Sequence, residues 1–309
     1  MCYNADMKKI KIASFDGKEI AAYLWDEVTK PKGVVQLVHG MAEYCERYDH
    51  FARALNKAGY IVFADDHRGH GLTSGTELQG KTGDSLDLFN ETLKDELFFS
   101  NMLIEQYNLP LFIFGHSYGS FLAQTYIQQP HPAAAVVICG SADMDGLITS
   151  AALMIARISK LFKGADAPAR LIEKINFGGY QKRLKKDGEK GYWLTRDIDI
   201  AERYYADPYC GKPFSNGFYL SFFKGLKGLY KKEGLNNIKK DLPVFIIAGE
   251  KDGVGGYGKL VKKLYARYQK LGLNVGLKLY PDCRHEILNE LNKEEVYDDV
   301  IGFFDQIKV

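Results

Sequence analysis

The chain has 309 residues, of which 46% are hydrophobic, and its 41 basic and 39 acidic residues give a formal net charge of +2 at pH 7. A chain of this length and composition can bury a sizeable core, either as one large α/β domain or as two domains. Because the charge is nearly balanced, the sequence lacks the basic stripe that electrostatic binding of nucleic acid needs, and we expect no nucleic-acid partner.

The cysteines and the N-terminal residues indicate the compartment. The cysteines are odd in number, widely spaced and without a CxxC pair: Cys2, Cys45, Cys139, Cys210 and Cys283. This usage is typical of reduced thiols and not of a disulfide framework or a structural zinc site. The first residues, MCYNADMKKIKIAS, lack the apolar stretch of a signal peptide, and no apolar run reaches the roughly 18 residues of a membrane span. We therefore expect a cytoplasmic protein.

The first predicted element is a β-hairpin over residues 8–25, where apolar and polar residues alternate around Asp16-Gly17, a pair typical of a type I′ turn. Short, nearly continuous apolar runs follow as predicted strands, at residues 33–40, 60–65, 111–115, 134–140, 244–249 and 275–280. Helical patterns lie between or after them, at residues 48–59, 84–107, 259–272 and 294–307. Apolar runs without polar alternation indicate strands buried on both faces, so the chain predicts an α/β fold with a mostly parallel sheet flanked by helices.

The regular alternation of strands and helices breaks between residues 142 and 240, a segment rich in aromatic residues. We interpret this segment as a mainly helical cap inserted into a core domain that comprises residues 1–141 and 241–309. Its first stretch, residues 147–162, is amphipathic. Either its apolar face packs on the core or cap, or the stretch makes transient contact with a membrane surface.

The motif Gly115-His116-Ser117-Tyr118-Gly119 follows one of the predicted strands directly, and the helical pattern FLAQTYIQQ follows the motif. A strand that ends in G-x-S-x-G and turns at once into a helix is a nucleophile elbow, which holds a serine exposed at a strained bend. Side chains at the two glycines would collide with the neighbouring strand and helix. Ser117 is therefore the candidate nucleophile.

A serine nucleophile needs a base, usually a histidine oriented by a carboxylate, and in this architecture the chain order is serine, acid, histidine. Asp252 follows the predicted strand at 244–249, and His285 follows the last predicted strand. Glu250 and Asp282 are alternatives for the acid, although Asp282 sits in a Pro-Asp turn, where aspartate is common for local hydrogen bonding. Four other histidines compete with His285, but none follows the last strand: His39, His67, His70 and His116.

The remaining need is an oxyanion hole made of two backbone N–H groups. Tyr118 follows the nucleophile at a helix N-terminus and is predicted to supply the first. The second is assigned to Met41, in the loop after the strand predicted at residues 33–40.

Two motifs point to other chemistry and are rejected. Residues 253–258 fit G-x-G-x-x-G, but only one strand follows them and position 278 is Lys278 instead of an acid, so we expect no nicotinamide cofactor. His67 and His70 could bind a metal, but no carboxylate spacing of the HExxH kind accompanies them. We expect neither a cofactor nor a metal.

The chain resembles the monoacylglycerol lipase and lysophospholipase group of α/β-hydrolases. The resemblance rests on five segments: HGMAEYCERY (39–48), DDHRGHGLTSG (65–75), GHSYGS (115–120), AGEKD (248–252) and YPDCRHEILNE (280–290). It implies an α/β-hydrolase fold whose cap shapes an acyl-binding tunnel. It also implies that Met41 supplies an oxyanion N–H, and that Glu43 and Arg47 contact glycerol hydroxyls. The alternative for Glu43 and Arg47 is a loop salt bridge that stiffens the turn.

The leading hypothesis is a cofactor-independent serine hydrolase that cleaves esters of small lipids, most of all monoacylglycerol or lysophospholipid, through an acyl-enzyme. Relatives often have methionine after the serine, so Tyr118 is expected to narrow the pocket or to add a hydroxyl near the acyl group. The aromatic cap also suits an aryl, feruloyl-type esterase. A proline-iminopeptidase-like aminopeptidase and a catalytically silent binding module are two competing hypotheses.

Overall fold

The computed structural model describes residues 7–85, 87–186 and 191–308. Eight strands form one sheet: β1 (Lys8–Ala13), β2 (Glu19–Trp25), β3 (Gly33–Val38), β4 (Tyr60–Asp65), β5 (Leu111–His116), β6 (Ala135–Cys139), β7 (Val244–Gly249) and β8 (Val275–Tyr280). Their order in the sheet is β1-β2-β4-β3-β5-β6-β7-β8. β2 pairs antiparallel with β1 and β4, and all the other neighbours are parallel.

The helices flank this sheet and fill the segment between β6 and β7. In chain order they are α1 (Asp49–Lys57), α2 (Gly71–Leu78), α3 (Leu88–Tyr107), α4 (Tyr118–Tyr126), α5 (Leu147–Lys163), α6 (Arg170–Lys186), α7 (Ile198–Ala206), α8 (Asn216–Leu229), α9 (Lys232–Asn236), α10 (Lys259–Lys270) and α11 (Lys293–Asp305). The eight-stranded, mostly parallel sheet with helices on its faces confirms the predicted fold class.

The central strands are almost entirely apolar because both faces of the sheet are covered. Every residue of β3, β4, β5 and β6 is buried. Successive side chains alternate between two apolar clusters, one on each face: Val34 and Ile113 belong to the first, whereas Val35 and Phe112 belong to the second. This two-sided burial explains why the predicted strands show no polar alternation.

The turn between β1 and β2 differs from the prediction. The Gly17 N–H donates to the Ser14 carbonyl and the Ser14 N–H donates to the Lys18 carbonyl, each at 2.9 Å. Gly17 has a φ of 83°, whereas Asp16 is not among the residues with positive φ. A type I′ turn needs positive φ at both central residues, so that prediction is wrong and the hairpin closes through a three-residue loop. The Asp16 carboxylate accepts hydrogen bonds from the Lys18 N–H at 3.0 Å and from Arg68 at 2.8 Å, which favours this longer loop.

The segment between β6 and β7 is helical, as predicted for the inserted cap. Within it, α5 lies along α8, and α8 packs against α3 and α4 next to the elbow. The amphipathic stretch predicted at residues 147–162 is α5, whose inner face buries Thr149, Leu153 and Ala156. The division into a core domain and a cap domain at residues 142 and 240 stays a prediction.

The structure describes four of the five cysteines and the lengths of the helices. Cys45, Cys139, Cys210 and Cys283 are free and buried, while Cys2 lies outside the described residues. Among the helices in the described ranges, none combines the length and the apolar character needed to cross a lipid bilayer.

Candidate active site

Ser117 lies at a sharp bend between the end of β5 and the start of α4. Its φ of 51° and ψ of −116° are unusual for a residue with a side chain. The bend is held because the Ser117 N–H donates to the Cys139 carbonyl at 3.0 Å, while the Ser117 carbonyl accepts from the Ser120 hydroxyl at 2.6 Å. A Cβ on Gly119 would lie 2.0 Å from the Val38 carbonyl oxygen, so only glycine allows this approach of α4 to β3. The local structure is the one that the G-x-S-x-G motif predicts.

The structure brings together the three side chains that sequence order selected. His285 Nε2 lies 2.9 Å from Ser117 Oγ, and His285 Nδ1 lies 3.0 Å from Asp252 Oδ1. Asp252 follows β7, and His285 lies in the loop between β8 and α11, which we call the histidine loop (residues 281–292). The carboxyl ends of parallel strands meet at one edge of the sheet, which explains how residues so far apart in the chain become neighbours.

Electrostatics in this group stabilise the imidazolium of His285 more than water does. Burial by itself lowers the pKa of His285, but the charge of Asp252 and its hydrogen bond outweigh that effect and hold the pKa above its ordinary value. Asp252 is itself fixed, because its Oδ1 also accepts the Val254 N–H at 2.8 Å. The arrangement can therefore take a proton from Ser117 and stabilise the imidazolium that results.

The two alternative acids of the sequence analysis lie elsewhere. Asp282 has a φ of 59° in a turn closed by the Cys283 N–H and the Tyr280 carbonyl at 3.3 Å. Its side chain is 68% exposed and lies 3.6 Å from Lys251 Nζ. Glu250 is exposed. Asp282 therefore lies in a turn, as expected from Pro281-Asp282. The carboxylate that contacts the His285 imidazole is that of Asp252.

The loop after β3 lies against the elbow, where the second oxyanion donor is predicted. A Cβ on Gly40 would come 3.2 Å from the Ser117 Cβ. Within the described residues, neither the Met41 N–H nor the Tyr118 N–H has a hydrogen-bond acceptor. Tyr118 N–H also lies at the N-terminus of α4, where the helix dipole favours negative charge.

Glu43 and Arg47 form a buried ion pair behind that loop. Glu43 Oε1 accepts from the Gly40 N–H and from the Tyr48 hydroxyl, each at 2.7 Å, and its other oxygen contacts Arg47. Although burial opposes it, the Arg47 charge holds the pKa of Glu43 below its usual range. Arg47 also binds Glu286 through two hydrogen bonds, of 2.9 and 2.7 Å.

These contacts are those of the loop salt bridge that the sequence left as an alternative. The ion pair also extends to Glu286, the residue after His285. Glu286 thereby joins the histidine loop to the region after β3 that contains Gly40, Glu43 and Arg47. The sequence analysis did not select Glu286. The only indication in the sequence was that a charged residue directly follows His285. Glu43 also lines the cavity beside Ser117, whereas Arg47 does not. The contact of Glu43 and Arg47 with glycerol hydroxyls stays a prediction.

A cavity of about 340 Å³ opens onto Ser117 and His285. Its lining includes apolar side chains from α4, α5, α8 and the segment before α5: Phe121, Met144, Ala152, Phe222, Phe223 and Leu226. The lining also includes residues with polar groups: Glu173, Tyr204, Tyr205 and Lys212. Burial raises the pKa of Glu173 to about 7. Most of this lining comes from the helical segment between β6 and β7, so that segment shapes the space above the candidate nucleophile.

Tyr118 packs inside the protein and also lines the cavity. Its ring centroid lies 5.3 Å from those of Phe218 and Phe222, and 5.8 Å from that of Phe89. Its hydroxyl faces Thr92 of α3. The ring therefore takes up space beside the elbow, in line with the expectation that Tyr118 narrows the pocket. The hydroxyl is directed to α3.

The glycines of residues 253–258 shape the loop around Asp252. A Cβ on Gly253 would meet the Tyr180 ring at 2.5 Å, and one on Gly255 would meet Val261 at 2.7 Å. The Tyr257 N–H closes the loop on the Asp252 carbonyl at 2.8 Å. These glycines are explained by close packing around the acid.

Two buried groups have donor atoms close enough to hold a metal ion: His39, Cys45 and Asp66, and Asp65, His67 and Glu96. Each of these six residues bonds to a protein group through at least one of its donor atoms. His39 Nε2 accepts the His67 N–H at 3.0 Å, and His67 Nδ1 lies 3.1 Å from Asp65. These contacts connect the ends of β3 and β4 beneath the site.

Comparison with known proteins finds lipases and esterases that match nearly the whole chain. The sequence is 28% identical to a monoacylglycerol lipase of Mycolicibacterium smegmatis over 300 residues, covering 94% of each chain. A thermostable carboxyl esterase from Bacillus coagulans, solved in complex with glycerol, is 29% identical with a TM-score of 0.86, covering 98% of this chain and 99% of that one.

A soluble variant of monoglyceride lipase from Saccharomyces cerevisiae, solved with a substrate analogue, shares the fold at 22% identity, with a TM-score of 0.76 and coverage of 100% and 97%. The protein family described as "Serine aminopeptidase, S33" (Hydrolase_4) matches residues 29–292. The chain therefore belongs to this family of α/β-hydrolases and is similar to carboxylesterases and monoacylglycerol lipases.

Proposed function

We propose that the protein hydrolyses carboxylic esters of small lipids, with monoacylglycerol as the preferred class and lysophospholipid as the next. The observation that carries the proposal is the 2.9 Å contact between Ser117 Oγ and His285 Nε2 at a partly apolar cavity. The similarity to a monoacylglycerol lipase over 94% of the chain supports the same substrate class.

In the proposed mechanism, His285 takes the hydroxyl proton as Ser117 attacks the ester carbonyl, and Asp252 stabilises the imidazolium. The N–H groups of Met41 and Tyr118 bind the oxyanion. The imidazolium then gives its proton to the departing alcohol, which leaves an acyl-serine. His285 next takes a proton from water as that water attacks the acyl carbon. Collapse of the second tetrahedral intermediate then releases the fatty acid, and the imidazolium returns its proton to Ser117 Oγ, which restores the free enzyme. No cofactor takes part.

The mixed lining of the cavity suits a substrate with an apolar chain and a polar head. Each CH₂ group of the chain that the apolar side chains remove from water contributes about 0.8 kcal/mol to binding. Glu43 reaches the cavity, with Arg47 behind it, and in this proposal it faces the alcohol part of the ester. The similar Bacillus coagulans esterase binds glycerol in its solved structure, which supports a glycerol-sized alcohol.

A substrate panel tests this proposal. We expect kcat/KM to be highest for monoacylglycerols, lower for lysophospholipids and short p-nitrophenyl esters, and lowest for proline β-naphthylamide. Each rate is measured by product release with the purified full-length chain. Faster turnover of the prolyl amide would support the aminopeptidase hypothesis instead, and faster turnover of a feruloyl ester would support the aryl esterase.

We also propose that α5 makes transient contact with a lipid surface. Its outer face carries large apolar side chains that are 80–88% exposed: Leu147, Ile148, Leu161 and Phe162. Lys160 and Lys163 lie in the last turn of the helix and favour anionic headgroups. Ile148 also lines the cavity, so a lipid could pass from the surface to Ser117.

Flotation with anionic phospholipid vesicles tests this contact. We expect the wild-type chain to float with the vesicles and Leu161→Asp to stay in the dense fraction, because the charge opposes insertion of the apolar face. Leu291→Asp is the matched control, since Leu291 is 68% exposed and belongs to the histidine loop and not to α5. Equal behaviour of the two variants, or no flotation of the wild type, would refute the contact.

A further inference from the structure

Five residues before α7, 192–196, are bound closely to the histidine loop. We call residues 192–196 the clamp segment. Hydrogen bonds join it to the loop: the Glu286 N–H to the Leu194 carbonyl (2.7 Å), Arg284 to the carbonyls of Tyr192 (2.7 Å) and Thr195 (3.2 Å), the Thr195 hydroxyl to the Asn289 carbonyl (2.8 Å), and Arg196 to Glu290 (2.8 Å). Part of the inserted segment is thus tied to the loop that carries the candidate base.

Trp193 lies in the clamp segment and contacts the imidazole of His285. The two ring centroids are 5.2 Å apart and the planes differ by 30°. The ring of His116 also lies close, 5.0 Å from that of His285. The Trp193 backbone is itself held, because its N–H donates to Gln181 of α6 at 3.1 Å. The imidazole is therefore packed against two rings, and Trp193 also lines the cavity.

We propose that Trp193 is a positioning residue for His285, which stabilises the imidazolium and keeps the ring directed at Ser117. The inference rests on the proposed role of His285 as the base. The hydrogen bond to Asp252 fixes one edge of the imidazole, and the Trp193 face prevents the ring from tilting out of line with Ser117 Oγ. A cation within about 6 Å of an indole centroid is attracted to the ring, so Trp193 favours the charged form that develops during attack.

This role acts on the transition state and not on substrate binding. In the ground state the imidazole is neutral and gains little from the indole face, whereas the imidazolium gains more. Loss of the aromatic face should therefore lower kcat and leave KM nearly unchanged. A merely structural role of Trp193 would lower stability without this separation of kcat from KM.

Three variants of the full-length chain test the proposal with p-nitrophenyl butyrate and a fluorophosphonate probe. We expect Trp193→Leu to lower kcat and the labelling rate about tenfold, with KM within about twofold. Trp193→Phe keeps an aromatic face and should stay within about twofold of wild type. Tyr192→Leu is the matched control, because Tyr192 precedes Trp193 in the clamp segment but packs its ring on Tyr205, with the centroids 5.1 Å apart.

The outcomes separate this inference from the proposed function. A wild-type rate for Trp193→Leu, or an equal loss in Trp193→Phe or Tyr192→Leu, would overturn the positioning role of the aromatic face. Thermal melts of all three variants identify any loss caused by unfolding, and Trp193→Phe keeps the test valid if Trp193→Leu does not fold. Absence of labelling in the wild-type chain would instead refute the proposed function.

Discussion

Ser117→Ala is expected to lower kcat for ester hydrolysis by about 10⁵- to 10⁶-fold, the loss typical of removing a nucleophile from a serine hydrolase. The substitution removes only the hydroxyl that would form the acyl-enzyme, so KM should change little. Stability should also change little, because alanine and serine tolerate the φ of 51° to a similar degree. Hydrolysis of p-nitrophenyl butyrate and labelling by a fluorophosphonate probe measure the effect.

Ser150→Ala is the matched control for this prediction. Ser150 lies on α5, and its hydroxyl bonds to the Gly146 carbonyl at 3.1 Å, away from the cavity lining. We expect this variant to react with the probe at the wild-type rate. Labelling of Ser117→Ala, or ester hydrolysis by that variant at a rate near that of the wild type, would show that the reaction uses another nucleophile.

Asp252→Asn is expected to lower kcat at pH 7 by up to about 10⁴-fold, because asparagine keeps the shape of the side chain but removes the charge that stabilises the imidazolium. The Val254 N–H still has an acceptor in asparagine, so the loop around residue 252 should keep its conformation. A kcat measurement with a short p-nitrophenyl ester, together with a thermal melt, checks that the loss is catalytic.

The pH dependence provides a second measurement on the same variant. Catalysis needs neutral His285, so kcat/KM falls as the pH drops through the His285 pKa, which Asp252 holds above its ordinary value of 6.5. In Asp252→Asn that charge is gone while burial still disfavours the imidazolium, so the acid limb of the profile should move to lower pH.

Asp282→Asn serves as the control and also tests the alternative acid. Its carboxylate is largely exposed and contacts Lys251, so we expect kcat within about twofold of wild type, as for most surface substitutions. A loss in Asp282→Asn as large as that in Asp252→Asn would contradict the assignment of the acid. An unchanged acid limb in Asp252→Asn would do the same.

Local patterns were sufficient to predict the sheet and the position of the elbow. The run at residues 60–65 became β4 with the same limits, because a strand covered on both faces is apolar at nearly every position, and in β4 the exception is Asp65 at its end. Apart from α5, the helices of the inserted segment were not resolved individually in the sequence. There, glycines and closely spaced aromatic residues obscure the periodicity of 3.6 residues that marks an amphipathic helix.

The contacts around the site were less accessible to sequence reasoning. Glu286 and Arg47 are 239 positions apart, and their bidentate pair depends on how two loops meet at the edge of the sheet. The ring contact of Trp193 with His285 depends in the same way on the clamp segment. The type I′ turn was predicted wrongly, and one contact at the observed turn, from Arg68 to the Asp16 carboxylate, also comes from a residue distant in the chain.

The sequence by itself determined the fold class, the bend at Ser117 and the choice of Asp252 and His285 as its partners, because strand burial, glycine sterics and chain order are local or sequential properties. Only the tertiary structure decided which charges pair behind the loop at Gly40, where the ring of Trp193 lies and how the inserted helices enclose the cavity. These features arise from contacts between segments that are distant in the chain, and their free energy depends on burial and mutual orientation, which no local pattern of residues encodes.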